Sequence, residues 1–312
     1  MTATVYAIIY AGLLVFVAGC VVRGVRYARL PAHLRWELYP VPHEAPERVE
    51  HGGSRYEETD WWTRPVGFNL LGEIKFMVPE MLFLKGLWDF NRKLWYRSFP
   101  FHFGLYLVIG GVSLLLLSAI AVSIAGPQLL WGTTGAVVRF LYAAAWLIGA
   151  PLAILGALGL LARRLGDPAL RLYTTPADIF NLLLFVATLG LLFAGYLLAR
   201  GPKLRASAIA HGLLTFDTRL EIPGVLAAGL VLGALVAAYI PLTHMSHFIA
   251  KYFTYHAVRW DDRAVVAGGA LGKKIAEYLT YRPAWSAAHV GADGVKTWAE
   301  VATANPAEWI KK

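Results

Sequence analysis

The chain has 312 residues, a net charge of +9, 57% hydrophobic residues and only 16% charged ones. A soluble domain carries about a quarter charged residues. The shortfall here is gathered into long uninterrupted apolar runs, which excludes an ordinary water-soluble fold. The basic balance requires no nucleic-acid partner, because membrane proteins collect Lys and Arg in their cytoplasmic loops.

Residues 1–30 read as the first transmembrane helix, with an apolar run over 5–22. No Lys or Arg precedes it, whereas Arg23, Arg26 and Arg29 follow at once. That polarity suits an uncleaved helix with its N-terminus outside, against the lipoprotein-like box Val17-Ala18-Gly19-Cys20. Residues 31–98 form a cytoplasmic and interfacial insertion, punctuated at first by Pro40, Pro42 and Pro46. Its stretch 72–93 mixes Phe76, Met77, Met81, Leu87 and Trp88 with Lys75, Lys85, Arg92 and Lys93. The mixture predicts either an amphipathic helix lying in the interface or a soluble helix packed on a partner. Residues 99–250 carry four further spans, at about 99–125, 137–162, 179–199 and 222–250, and residues 251–312 form a cytoplasmic tail that docks a partner. Each span has at least ~20 residues, enough for a hydrocarbon core of ~30 Å. Pro151 and Pro241 fall inside spans, where neighbouring helices can satisfy the freed carbonyls. The fold class expected is an all-α integral membrane protein with five transmembrane helices. Basic residues crowd 23–97 and the tail and are missing from 126–136, which predicts an outside N-terminus and a cytoplasmic C-terminus.

Cys20 is the single cysteine. An intrachain disulfide, a four-cysteine iron–sulfur site and a C-x-x-C-H haem attachment are therefore excluded. Gly-Ala-Leu-Gly-Lys-Lys at 269–274 is not a phosphate-binding loop, since it lacks a correctly spaced first glycine and a Ser/Thr after the lysine.

The histidines are the chemical signal. His33, His43, His51 and His289 read as solvated surface residues. His102 lies five residues inside Arg97, about 7 Å deep at ~1.5 Å per residue. His247 lies four residues before Lys251, about 6 Å in, and His244 about 10 Å in by the same rise. Three imidazoles at one level on two helices are what a b-type haem between axial histidines requires, and an intramembrane histidine needs a partner in any case. On such a helix Gly229 shares the face of His247, and Gly233 that of His244. They either admit a flat porphyrin or serve helix packing. Arg97, Lys251 and Arg259 are candidates for the haem propionates or for positive-inside anchors. One haem b, on His102 with His244 or His247, is expected. A second would have to recruit His211, His256, the spare member of His244/His247 or a ligand from another subunit.

Three stretches of the chain have a familiar look. The run Trp95-Tyr96-Arg97-Ser98-Phe99-Pro100-Phe101-His102-Phe103-Gly104 is the first. Pro241-Leu242-Thr243-His244-Met245-Ser246-His247-Phe248 and Lys251-Tyr252-Phe253-Thr254-Tyr255-His256 are the others. Together they resemble the nitrate reductase gamma-subunit family of membrane cytochromes b. More narrowly they resemble its branch in heterodisulfide-reductase-like and sulfite-reduction-associated menaquinol complexes. The resemblance implies a haem-bearing subunit of a respiratory oxidoreductase in a bacterial or archaeal cytoplasmic membrane. It further implies electron exchange between menaquinol and a cytoplasmic, heterodisulfide-reductase-like iron–sulfur subunit. The family pattern has two histidines in each of two spans; here His102 and His247 match, while Arg92 and Gly229 stand at the other two positions. The rival reading is a non-redox membrane anchor or transporter component. The chain has no internal repeat and no charged residue at a span midplane, as a transporter would show.

Overall fold

The computed structural model describes residues 1–30, 41–65, 67–198, 206–263, 265–284 and 290–305, and every regular element among them is helical. In chain order these are α1 (Thr2–Ala28), α2 (Pro46–His51), α3 (Leu70–Leu82), α4 (Lys85–Phe90), α5 (Arg92–Ala125), α6 (Gly132–Gly166) and α7 (Pro168–Arg171). There follow α8 (Pro176–Leu198), α9 (Ala206–Thr215), α10 (Gly224–Tyr239), α11 (His247–Thr254), α12 (Ala270–Leu279) and α13 (Trp298–Thr303).

Five segments among the described residues are long and apolar enough to cross a membrane: α1, α5, α6, α8 and residues Gly224–Leu242. Their outward faces carry Leu14, Ile109, Leu117, Ile124, Phe140 and Leu155, all largely exposed. An apolar surface of that extent is incompatible with water and is satisfied by lipid. Local signals set the ends. Asn91 accepts the Leu94 amide and starts α5, and Asp167 accepts the Ala169 amide and starts α7. Thr175 and Asp178 cap each other's amides at the start of α8. Gly126, at φ +86°, ends α5.

Three expectations change. The fifth span does not run on to residue 250. It ends in a 3₁₀ turn over Ile240–Leu242, Thr243 is extended, and a second 3₁₀ turn over His244–Ser246 precedes α11. Pro241 is the physical reason, since it lacks an N–H and crowds the preceding turn. The loop expected over 200–221 contains α9, because Ile209 buries against Val5, Tyr6 and Ile222 and Ala210 is buried beside it in the sequence. The stretch 72–93 is not one helix but α3, α4 and the first residues of α5, interrupted where Leu84 adopts φ +52°.

The chain divides into two compact units, Met1–Val21 with Ile74–Ser246, and Val22–Glu73 with His247–Lys312. In the first unit, α5 and α6 pack most extensively. Small residues let their backbones meet: a Cβ on Gly104 would lie 2.4 Å from the Ala153 nitrogen, and one on Gly156 2.3 Å from the Phe101 nitrogen. Phe101, Ala153, Ala157 and Leu189 form the buried centre. Helix α8 packs on α10 in the same way, with Gly195 against Leu226 and Gly229 against Leu191 and Leu192.

The second unit has a polar centre. His43 Nε2 lies 2.7 Å from Asp262 Oδ2, with both side chains about nine-tenths buried. Glu44 accepts from the Ser54 hydroxyl and the Arg55 amide, and Trp260, 2% exposed, stands edge-on to His43. His43 is therefore not the solvated residue expected: Asp262, far off in sequence, gives it a partner. His33 and His289 lie outside the described residues, and of His51 only the backbone is described.

Candidate functional site

His102 sits on α5 one turn after Ser98. Its Nδ1–H donates to the Ser98 carbonyl oxygen at 2.8 Å, and the buried Ser98 hydroxyl lies 3.3 Å from the same nitrogen. That bond assigns the proton to Nδ1 and places the lone pair on Nε2, the tautomer in which imidazole ligates a metal. Neighbouring aromatics hold the ring. Phe101 stands edge-on at 5.3 Å and Tyr106 is tilted at 6.5 Å between centroids. Phe101 in turn meets Phe185 of α8 edge-on. One turn before Phe185, on the same face of α8, Asn181 is 6% exposed, and both its side-chain amide atoms are buried without a hydrogen-bond partner. A buried amide is costly in that state. It marks the wall beside Phe185 as one that can receive a polar group.

His244 belongs to the same unit and follows the break after α10. It is exposed, in the turn before the buried Ser246. The start of α8 and the end of α10 adjoin it, with Phe180 edge-on to Tyr239 at 6.1 Å. His247 opens α11 in the second unit and is exposed. Because the chain is not continuously helical between Tyr239 and His247, a rise of ~1.5 Å per residue no longer measures their depth. Nor do Gly229 and Gly233 share a helical face with these histidines. Both face α8, Gly229 towards Leu191 and Leu192 and Gly233 towards Thr188 and Leu192, so helix packing accounts for them.

The remaining candidates are dispersed. Lys251 and Arg259 both sit over the Tyr255 ring, at 5.7 and 4.9 Å from its centroid. His256 has both ring nitrogens engaged, Nδ1 with the Tyr252 carbonyl at 2.8 Å and Nε2 with Glu73 at 2.5 Å. As arranged, it has no nitrogen to offer a metal. Arg97 donates to the Lys93 carbonyl. Helical geometry turns it about 140° away from His102 around α5. Among the described residues no group of three or more His, Cys, Asp or Glu is gathered to hold a metal ion.

His211 lies at the opposite end of the first unit. It lines a cavity of about 550 Å³ with Ser118, Arg139, Tyr142, Ser207 and Asp217. Asp217 is held to about 2 by the Arg219 guanidinium, which donates to both its oxygens at 2.8 and 3.0 Å. A carboxyl depressed in the folded chain contributes stability above its ordinary range, near pH 4, and loses that contribution as pH falls towards 2. Arg219→Gln is expected to raise Asp217 part of the way towards the ordinary carboxylate range, because the backbone amide of residue 219 still donates to it. Carboxyl-carbon NMR titration would check this, and an unchanged midpoint would show that Arg219 is not the cause.

No family model matches the chain, and neither a curated protein nor a solved structure is significantly similar to it. Fold and site together define a class, a multi-pass helical membrane protein with a tautomer-fixed histidine inside its second span.

Proposed function

We propose that this chain is the haem b-binding membrane subunit of a quinone-linked respiratory oxidoreductase. It would pass electrons between a membrane quinol, menaquinol by the family resemblance, and a cytoplasmic iron–sulfur subunit. The observation that carries the reading is the His102 Nδ1–H bond to the Ser98 carbonyl, inside an apolar span. A histidine inside a span is a functional candidate by default, and the Ser98 bond leaves Nε2, the nitrogen that can ligate iron, unprotonated.

The residues fit the group. His102, together with His244 or His247, would hold the group through ring nitrogens. Phe101, Tyr106 and Phe185 would supply apolar walls, and the buried Asn181 amide would find a polar partner at the edge of the group. When bound, haem b supplies a one-electron carrier whose potential depends on its ligands and burial. The chain's own work is to orient the His102 ring, keep water from it and close the site with apolar side chains. Topology follows the charge bias. The N-terminus lies outside, and the second unit faces the cytoplasm of a bacterial or archaeal cell. Helices α3 and α4 lie at the interface, where Trp88, Trp95 and Tyr96 stack edge-on in the headgroup region. The tail, residues 251–312, would dock the partner subunit.

The deciding experiment is a reduced-minus-oxidised visible spectrum of the detergent-purified protein, with haem quantified per chain. Sharp b-type bands at about one haem are expected, lost in His102→Ala. His244→Ala and His247→Ala, made separately, identify the second ligand as the variant that also loses the bands. A well-folded preparation without haem, even inside its native complex, would overturn the reading and leave a membrane anchor in its place.

A further inference from the structure

A second cavity of the first unit, of about 340 Å³, opens where α5 begins and α6 ends, and is lined by Asn91, Lys93, Arg97, Arg163, Gly166 and Asp167. Three cations and one carboxylate face it, a surplus of two positive charges (3 − 1). The carboxylate, Asp167, also accepts the Ala169 amide and caps α7. Arg97 donates to a backbone carbonyl, and among the described residues none of Lys93, Arg97 and Arg163 has a carboxylate partner. Lys93 and Arg97 are four residues apart on one helical face, an arrangement of like charges that destabilises a helix. The stem of Arg97 runs past Gly159 of α6, where a Cβ would lie in ordinary contact with its Cγ at 3.4 Å. Three cations thus share the cavity with a single carboxylate, and the remaining surplus of positive charge is the electrostatic signature of an anion site.

Its level in the membrane identifies the anion. Helix α5 has 34 residues, about 51 Å at ~1.5 Å each, against a hydrocarbon core of ~30 Å. With the apolar run starting at Phe99, Arg97 and Lys93 stand about 3 and 9 Å outside it, at the depth of lipid phosphates. Neither points at His102, from which Lys93 is turned about 180° and Arg97 about 140° around the helix. We propose that this cavity binds the phosphate of an anionic phospholipid headgroup, held by Lys93, Arg97 and Arg163 in the leaflet at that end of the bundle. The acyl chains would lie along the exposed apolar faces of α5 and α6. Basic pockets between spans hold anionic headgroups by this combination of converging charge and depth. The inference does not rest on the haem reading.

The test uses the full chain in nanodiscs of phosphatidylcholine containing graded phosphatidylglycerol, with retained lipid counted by native mass spectrometry. Wild type is expected to retain phosphatidylglycerol in preference to phosphatidylcholine. Lys93→Gln/Arg97→Gln/Arg163→Gln should lose affinity on the order of a hundredfold, at roughly fivefold per cation. Arg26→Gln/Arg171→Gln/Lys273→Gln, with the same loss of charge at dispersed positions, should retain the lipid. Millimolar inorganic phosphate should not displace it. Equal retention by the two triple variants, or displacement by free phosphate, would overturn the proposal. The first would mean a diffuse basic rim and the second a site for a soluble anion. Should the triple variant fail to fold, Arg163→Gln alone is expected to lose about fivefold, and unchanged retention there would equally overturn it.

Discussion

Gly104→Val is expected to destabilise the first unit by about 3 kcal/mol or more, the range reached when a packed core must give way. A Cβ at residue 104 would lie 2.4 Å from the Ala153 nitrogen, 2.6 Å from the Gly149 oxygen and 2.8 Å from the Ala153 Cα. All three are backbone atoms of α6, so no side chain can turn aside. The two helices must separate, and with them the buried contacts of Phe101 with Ala153 and Ala157. Helix propensity acts the other way, because replacing glycine by alanine within a helix gains up to about 1 kcal/mol. The comparison is Gly110→Ala on the same helix, where a Cβ meets nothing within 4 Å. That variant should be neutral or slightly stabilised, while Gly104→Ala is destabilised. Thermal unfolding in detergent would read the difference, and equal behaviour of the two alanine variants would contradict the close approach of α5 and α6.

Asp262→Ala is the second large effect, expected at about 3 kcal/mol. Removing one member of a buried, hydrogen-bonded ionisable pair leaves the other without its partner. His43 and Asp262 are only 10% and 9% exposed and 2.7 Å apart, so water cannot easily replace the lost group. The same pair joins residues near 43 to residues near 262, and the Tyr56 hydroxyl, donating to the Asp261 carbonyl at 3.4 Å, runs parallel to it. The fluorescence of Trp260, whose ring stands 5.9 Å from His43, would report the change locally. Replacing both partners together, as His43→Phe/Asp262→Leu, should recover part of the loss, since it removes the buried imidazole that Asp262→Ala leaves unpaired. A double variant as unstable as Asp262→Ala would show that packing, and not the polar pair, is what residue 262 supplies.

These two effects arise in parts of the chain that differ in how far their sequence reveals them. The small residues of α6, Gly149, Ala153 and Ala157, recur at intervals of four in an apolar run, so a close helix contact could have been expected there. Nothing near His43 announces a partner. It stands in a polar, proline-rich stretch whose surroundings resemble any solvated loop, and its carboxylate lies over two hundred residues away. Helix α9 was missed for a related reason. Ala206–Thr215 is short and follows a run of Arg and Lys, but Ile209 and Ala210 show the face it buries.

What the sequence determined by itself is the class of solvent and the number of crossings. An uninterrupted apolar run of some twenty residues has no stable place in water, and its backbone must satisfy itself as helix. His102 was legible for the same reason, as a polar group where lipid makes one costly. Only the tertiary structure decided which way such groups face. It broke the chain after Tyr239, which removed the continuous helix on which the depths of His244 and His247 depended. It also closed both nitrogens of His256 and gathered Lys93, Arg97 and Arg163 around one cavity. Those outcomes depend on contacts between residues distant in the chain, and periodicity within a single helix carries no information about them.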